Sequence, residues 1–121
     1  MSTLVTSNIS DGTTSVGTGY VVNGSAKAWA GNVTDGATAS SSFNISSITD
    51  TGSGDNRLAF TSSMSAANYS VVSMAGPNAS TARNISLYDS VAASYRVFCS
   101  VPSDLGISSG PSNTVVFGDL A

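Results

Sequence analysis

The residues that could do chemistry in this chain are few, and two common ones are missing. There is no histidine and no glutamate. Neither a Ser-His-Asp nor a Cys-His arrangement can be assembled within it, because the nucleophile has no imidazole to take its proton. Lys27 is the one amine base, and no Ser-x-x-Lys spacing leads up to it. The seven Asp stand in turn-like contexts, where a carboxylate that bonds its own backbone is the ordinary use. A polysaccharide depolymerase would need two carboxylates facing each other across a glycosidic bond, and the spacing sets up no such pair. The chain reads as a non-enzyme with no cofactor.

Binding chemistry is equally sparse. Cys99 is alone, which excludes an intrachain disulfide and a Cys-only zinc site. Asp50-Thr51-Gly52-Ser53-Gly54-Asp55-Asn56 could cup a calcium ion, but it lacks the alternating acidic ligands and closing Glu of an EF-hand. A plain hairpin turn is expected there. No Gly-rich stretch leads into a helical pattern, so no phosphate cradle is expected. Trp29 could stack on a sugar. Flanked by Ala28 and Ala30, it reads instead as a core anchor, as do Tyr69 and Tyr95. Asn-x-Ser/Thr begins at Asn8, Asn23, Asn32, Asn44, Asn68, Asn78 and Asn84. Residues two apart share a strand face, so these read as polar ladders on strands.

The composition sets what must hold such residues. Leu, Ile, Val and Phe number 26 in 121 residues, close to the level where a chain struggles to fold alone. Only 9% of residues are charged, which argues against a self-repelling disordered chain. A thin core of this kind is commonly completed by copies of the chain, so an oligomer is expected. The net charge of −3 includes no basic cluster, which removes the electrostatic source of nucleic-acid binding. No run is long enough to cross a bilayer, and Met1–Ser10 lacks the basic start and apolar core of a signal peptide. A soluble protein, complete from its initiator Met, is expected.

Short strands with frequent turns account for the rest. The first nineteen residues are rich in Ser, Thr and Gly, with Leu4, Val5 and Ile9 as isolated apolar positions. They read either as a frayed terminus or as an extended arm that docks elsewhere. Residues 20–121 are then one β-domain. Tyr20–Asn23 and Ala26–Ala30 are expected as strands, and 31–36 as a turn cluster. Ala37–Ser42 is a strand by context only. Leu58 and Phe60 share a face opposite Arg57 and Ala59, whereas Ile45 and Ile48 share one only if a bulge or a strand end intervenes. Tyr69 and Val71 oppose Val72 and Met74, which predicts a strand covered on both sides. Arg83, Ile85 and Leu87 suggest another strand, and Tyr95, Val97, Cys99 and Val101 form the cleanest alternation. Thr114–Phe117 closes the domain after the loop Pro102–Ser112. The pattern predicts an all-β antiparallel sandwich (jelly-roll or Ig-like), a small barrel, or a β-prism of intertwined subunits.

One stretch carries a family resemblance. Ser-Ala-Lys-Ala-Trp at Ser25–Trp29, Ser-Phe-Asn-Ile-Ser-Ser-Ile-Thr-Asp at Ser42–Asp50, Gly-Ser-Gly-Asp at Gly52–Asp55 and Met-Ser-Ala-Ala-Asn-Tyr at Met64–Tyr69 resemble a domain of bacteriophage virion proteins. It is similar to tail-fibre-like proteins of marine and freshwater phages, with a segment Lys-Ala-Trp-Val-Asn-Phe-Asn-Gly before the matching hairpin. The opening Met-Ser-Thr-Leu with Asn-Ile-Ser-Asp-Gly-Thr-Thr also resembles the N-termini of such proteins. The departure is at Ala30-Gly31-Asn32, where the family has Val-Asn-Phe, so a shortened strand after Trp29 is expected. The resemblance covers Ser25–Tyr69 and brings no catalytic residues with it.

What it implies is a virion structural protein, a homotrimer on the particle exterior, made in the bacterial cytoplasm. The absence of a disulfide suits that compartment. In this reading the arm (Leu4, Val5, Ile9) docks on capsid or tail proteins. The β-domain is displayed as a capsid fibre, a cement protein or a tail fibre. The alternative is a receptor- or glycan-binding module using the loops Ala75–Ser80 (with Pro77, Asn78 and Ser80) and Asp104–Gly110. Neither reading involves nucleic acid or membrane.

Overall fold

The computed structural model describes residues 2–34, 38–76, 84–100 and 110–121. In chain order the elements are β1 (Asn8–Ser10), β2 (Ser15–Gly17), α1 (Thr18–Gly24), β3 (Ala28–Val33), β4 (Ser41–Phe43) and β5 (Ile45–Gly52). There follow β6 (Asp55–Phe60), β7 (Ser70–Ala75), β8 (Asn84–Val91), β9 (Ser94–Ser100) and β10 (Ser112–Phe117). Two four-stranded antiparallel sheets, β4-β3-β10-β7 and β5-β6-β9-β8, pack as a sandwich and do not close into a barrel. A separate hairpin, β1-β2, precedes them.

The second sheet follows the alternation of its residues. Leu58 and Phe60 on β6 and Tyr95, Val97 and Cys99 on β9 are buried, while Arg57, Ala59, Arg96 and Phe98 face outward. The three-residue offset between Ile45 and Ile48 is absorbed by a bulge: Ile45 pairs with Phe60, Ser47 with Ala59 and Ile48 with Leu58. Ser46 is the extra residue, and its hydroxyl donates to the carbonyls of Ala59 (3.3 Å) and Phe60 (3.1 Å). Both isoleucines thereby pack on the core. The β5–β6 turn lies at Ser53–Gly54, within the predicted hairpin.

Three rings fill the space between the sheets. Phe60 lies 5.5 Å from Tyr69 and 5.4 Å from Tyr95, and the two tyrosines stand edge-on at 6.5 Å. Their polar ends are satisfied. Tyr69 donates to the Ser94 carbonyl at 2.7 Å, and the Tyr95 hydroxyl meets Thr114 Oγ1 at 2.7 Å, a buried bond that joins β9 to β10 across the sandwich. The neighbouring strand β3 offers only Ala28, Ala30 and Val33 to this interior.

Four expectations change at this level. Tyr20–Asn23 lies in α1, not in a strand. Trp29 is outside the core, because β3 turns its alanines inward toward the rings. The strand after Trp29 is not shortened, since β3 runs to Val33. The altered Ala30-Gly31-Asn32 instead forms a bulge, with Asn32 at φ 55° and Gly31 and Asn32 lying opposite Asn113. Asn113 Oδ1 accepts from the Asn32 amide at 2.8 Å. Asn32 and Asn44 (φ 55°) are thus used for the left-handed backbone that asparagine tolerates, not for polar ladders. Val101 and Arg83 lie outside the described residues.

Two measurements check this packing. A Cβ built on Gly118 would sit 2.7 Å from Tyr69 Cβ, whereas one on Gly24 meets nothing within 4 Å. Gly118→Ala should therefore cost about 1–3 kcal/mol in urea unfolding, and Gly24→Ala should be neutral or stabilising by about 0.4–1 kcal/mol. Burial also pushes the Tyr95 hydroxyl from an ordinary 10.0 up to about 12. Between these values the unfolded chain releases the proton and the native chain keeps it, so stability is full below pH about 10 and falls toward pH 12. Tyr95→Phe should flatten part of that decline. It should also cost about 1–3 kcal/mol at neutral pH by orphaning Thr114, a loss that Thr114→Val partly restores in the double variant.

Candidate functional site

The two outer faces of the sandwich are built from opposite materials. On β5-β6-β9-β8 the register aligns Thr49, Arg57, Arg96 and Tyr88. Two arginines would repel in that row, but each has its own carboxylate: Arg57 pairs with Asp89, and Arg96 with Asp55. Arg57 also donates to Ser94 Oγ at 3.0 Å, and the Arg96 guanidinium lies 4.5 Å from the centre of the Tyr88 ring. The hydrogen bond to Asp55 holds Arg96 above its ordinary pKa. Among the described residues the charges of this face are paired within the chain, and its outward side chains are mostly polar, with Ala59 and Phe98 as the apolar exceptions.

The opposite face does not alternate that way. On β4-β3-β10-β7, Phe43 pairs with Trp29, Trp29 with Val115 and Val115 with Val72, forming one apolar row across all four strands. Phe43 is 55% exposed, Trp29 38%, Val72 57% and the adjacent Met74 62%. The expected cover on both sides of β7 is therefore absent from the single chain. At one end of the row lies a cleft of about 500 Å³ lined by Ser25, Lys27, Phe43, Asn44, Thr61 and Leu120, among others. Asn44 braces it: its amide donates to the Lys27 (3.0 Å) and Ser62 (3.1 Å) carbonyls, and its oxygen accepts from the Ser62 amide at 2.7 Å.

The N-terminal segment is the second exposed apolar feature. Leu4 and Val5 are 85% and 90% exposed, and Ile9 lies on β1 beside them in sequence, also exposed. The hairpin that carries Ile9 is shaped by Asp11. Its carboxylate accepts from the Thr13 (2.9 Å) and Thr14 (2.8 Å) amides, which lowers its pKa. Next comes α1 with Tyr20, Val21 and Val22 exposed and no residue buried. Lys27 Nζ donates to the Val22 carbonyl and to Ser25 Oγ (2.7 Å), tying the helix end to the start of β3. Pro77, Asn78 and Ser80 lie outside the described residues, as does the loop Asp104–Gly110 except for Gly110.

Sequence reasoning missed the row of Phe43, Trp29, Val115 and Val72. Val72 and Met74 sharing one face was the available signal. Nothing in Ala-Trp-Ala says which of its two faces points inward.

No family model, no curated protein and no solved structure matches the chain.

The polar groups of the β5–β6 turn bond within the chain. Asp50 Oδ1 accepts from the Gly52 amide at 2.9 Å, Thr51 Oγ1 donates to the Asp55 carbonyl at 3.0 Å, and the Asp55 carboxylate belongs to Arg96. Among the described residues no three metal-binding side chains are gathered, and no helix is long and apolar enough to cross a membrane. Cys99 is buried. Because both carboxylates of the β5–β6 turn are engaged, millimolar calcium should leave the thermal midpoint unchanged. A rise with calcium that Asp50→Asn abolishes would show that the turn does bind the ion.

Proposed function

We propose that this chain is a non-enzymatic structural protein of a bacteriophage particle, displayed on its exterior as a capsid decoration or a tail-fibre appendage. It assembles with copies of itself, as a trimer, and docks on other virion proteins through the segment that carries Leu4, Val5 and Ile9. The observation that carries the reading is where the apolar surface lies. A neutralised face and a small sealed core coexist with an apolar sheet face and an apolar N-terminal segment that the single chain leaves bare. A protein that works by being built into something larger has this distribution. The likeness of Ser25–Tyr69 to phage virion proteins supports the particular assembly.

A second reading, a receptor- or glycan-binding module, draws on Trp29 and Phe43 standing exposed on adjacent strands. A glycan array separates it from a purely architectural role.

The docking segment is tested by deletion. Removing residues 2–16 should abolish binding to particles prepared without the protein and leave the circular-dichroism spectrum and unfolding midpoint of the β-domain intact. Binding that survives the deletion would place the docking surface elsewhere.

A further inference from the structure

We infer that the apolar row on β4-β3-β10-β7 is the seat for α1 of a second copy of this chain, so that neighbouring subunits exchange helices. This deepens the self-assembly part of the reading above and names its contact.

The row needs an occupant. Phe43, Trp29, Val72 and Met74 leave on the order of 400 Å² of apolar surface bare, the size of patch that monomers reserve for binding. Two of the polar groups beside it that a stacked sugar would use are already bonded, Asn113 Oδ1 with the Asn32 amide and Asn32 Nδ2 with Ser40 Oγ at 3.0 Å. The charged side chains Arg57, Asp89, Arg96 and Asp55 stand on the other sheet, and Lys27 at the end of the row is tied to the Val22 carbonyl and Ser25 Oγ. The occupant that fits is apolar and uncharged.

The chain itself carries such an element. Within one chain α1 has no buried residue and no side-chain N-cap; its ties are polar and at its ends, Thr18 N–H to the Ser7 carbonyl and Ser25 Oγ and Lys27 Nζ to the Val22 carbonyl. A seven-residue helix in that state is far below the length at which helices hold alone, so it requires a tertiary contact. Tyr20, Val21 and Val22 would bring roughly 350 Å² of apolar surface to it, estimated like the row from exposed side-chain area. One helix seated on one row would bury roughly 750 Å² in all, less than a standard interface, and each subunit makes two such contacts, one giving its helix and one receiving.

The contact must come from another copy. The three-residue link Ser25–Lys27 and the tie of Lys27 Nζ to the Val22 carbonyl hold α1 at the end of its own sheet, where Tyr20 remains 80% exposed. Helix onto foreign row is a head-to-tail contact, which gives a ring such as a trimer where the rotation closes and a filament where it does not.

Trp29 is the only tryptophan, so its emission reports the row directly. The full chain should show a blue shift of Trp29 emission as concentration rises, in step with the increase in mass by light scattering. Tyr20→Ser combined with Val22→Ser should remove both changes and leave the unfolding midpoint of the dilute protein unaltered. Mixing a Val22→Cys copy with a Val72→Cys copy should give a disulfide-linked heterodimer, with the single variants alone as the background from Cys99. Assembly that leaves Trp29 emission exposed-like and the cysteines unlinked would overturn the helix exchange while leaving self-assembly standing. A monomer at all concentrations would overturn both. A disulfide formed only within the doubly substituted chain, or a Trp29 shift produced only by added glycan, would also overturn the exchange.

Discussion

Phe60, Tyr69 and Tyr95 occupy the middle of the sandwich, and the room they take constrains the strands around them. Three rings within 5.4–6.5 Å of one another leave the neighbouring stretch of β3 space for alanine side chains only. Ala28 and Ala30 must face inward, and Trp29 between them must then face out. The Tyr95–Thr114 hydrogen bond locks the same arrangement from the polar side, because either hydroxyl without the other would be stranded in an apolar interior. Interior packing thus places an indole on the surface.

From that placement follows the asymmetry between the two outer faces. Both sheets have inward apolar residues, but only β5-β6-β9-β8 turns charge toward solvent, and it neutralises that charge pair by pair. The exposed Arg57–Asp89 pair adds little stability, and the more buried Arg96–Asp55 pair must offset its own desolvation. On that face the paired charges leave no charge imbalance among the described residues. The face of β4-β3-β10-β7 offers the row of Phe43, Trp29, Val115 and Val72.

Glycine and asparagine set the local geometry that makes this possible. Gly118 lets the C-terminal segment pass against Tyr69. Asn32 and Asn44 adopt left-handed backbone at either side of the apolar face, one in the bulge against Asn113 and the other between β4 and β5. The Asn44 side chain then bonds the backbone of Lys27 and Ser62, and the Asn32 side chain donates to Ser40 Oγ. The frequent Asn-x-Ser/Thr triplets are thus partly a record of where the chain must bend.

Residue order by itself determined the class of fold, the β5–β6 hairpin, the inward faces of β6 and β9, and the need for a bulge or a strand end between Ile45 and Ile48. Each is a local matter of period-two alternation and turn chemistry, which a strand cannot escape without turning its apolar residues to water. It also bounded the chemistry, since a base that is missing from the chain is missing from every conformation of it. The direction of Trp29, the helical state of Tyr20–Asn23 and the bare side of β7 were decided only by tertiary structure. Alternation says that two faces differ but not which one meets the other sheet, and three rings from distant parts of the chain settle that by occupying the space first.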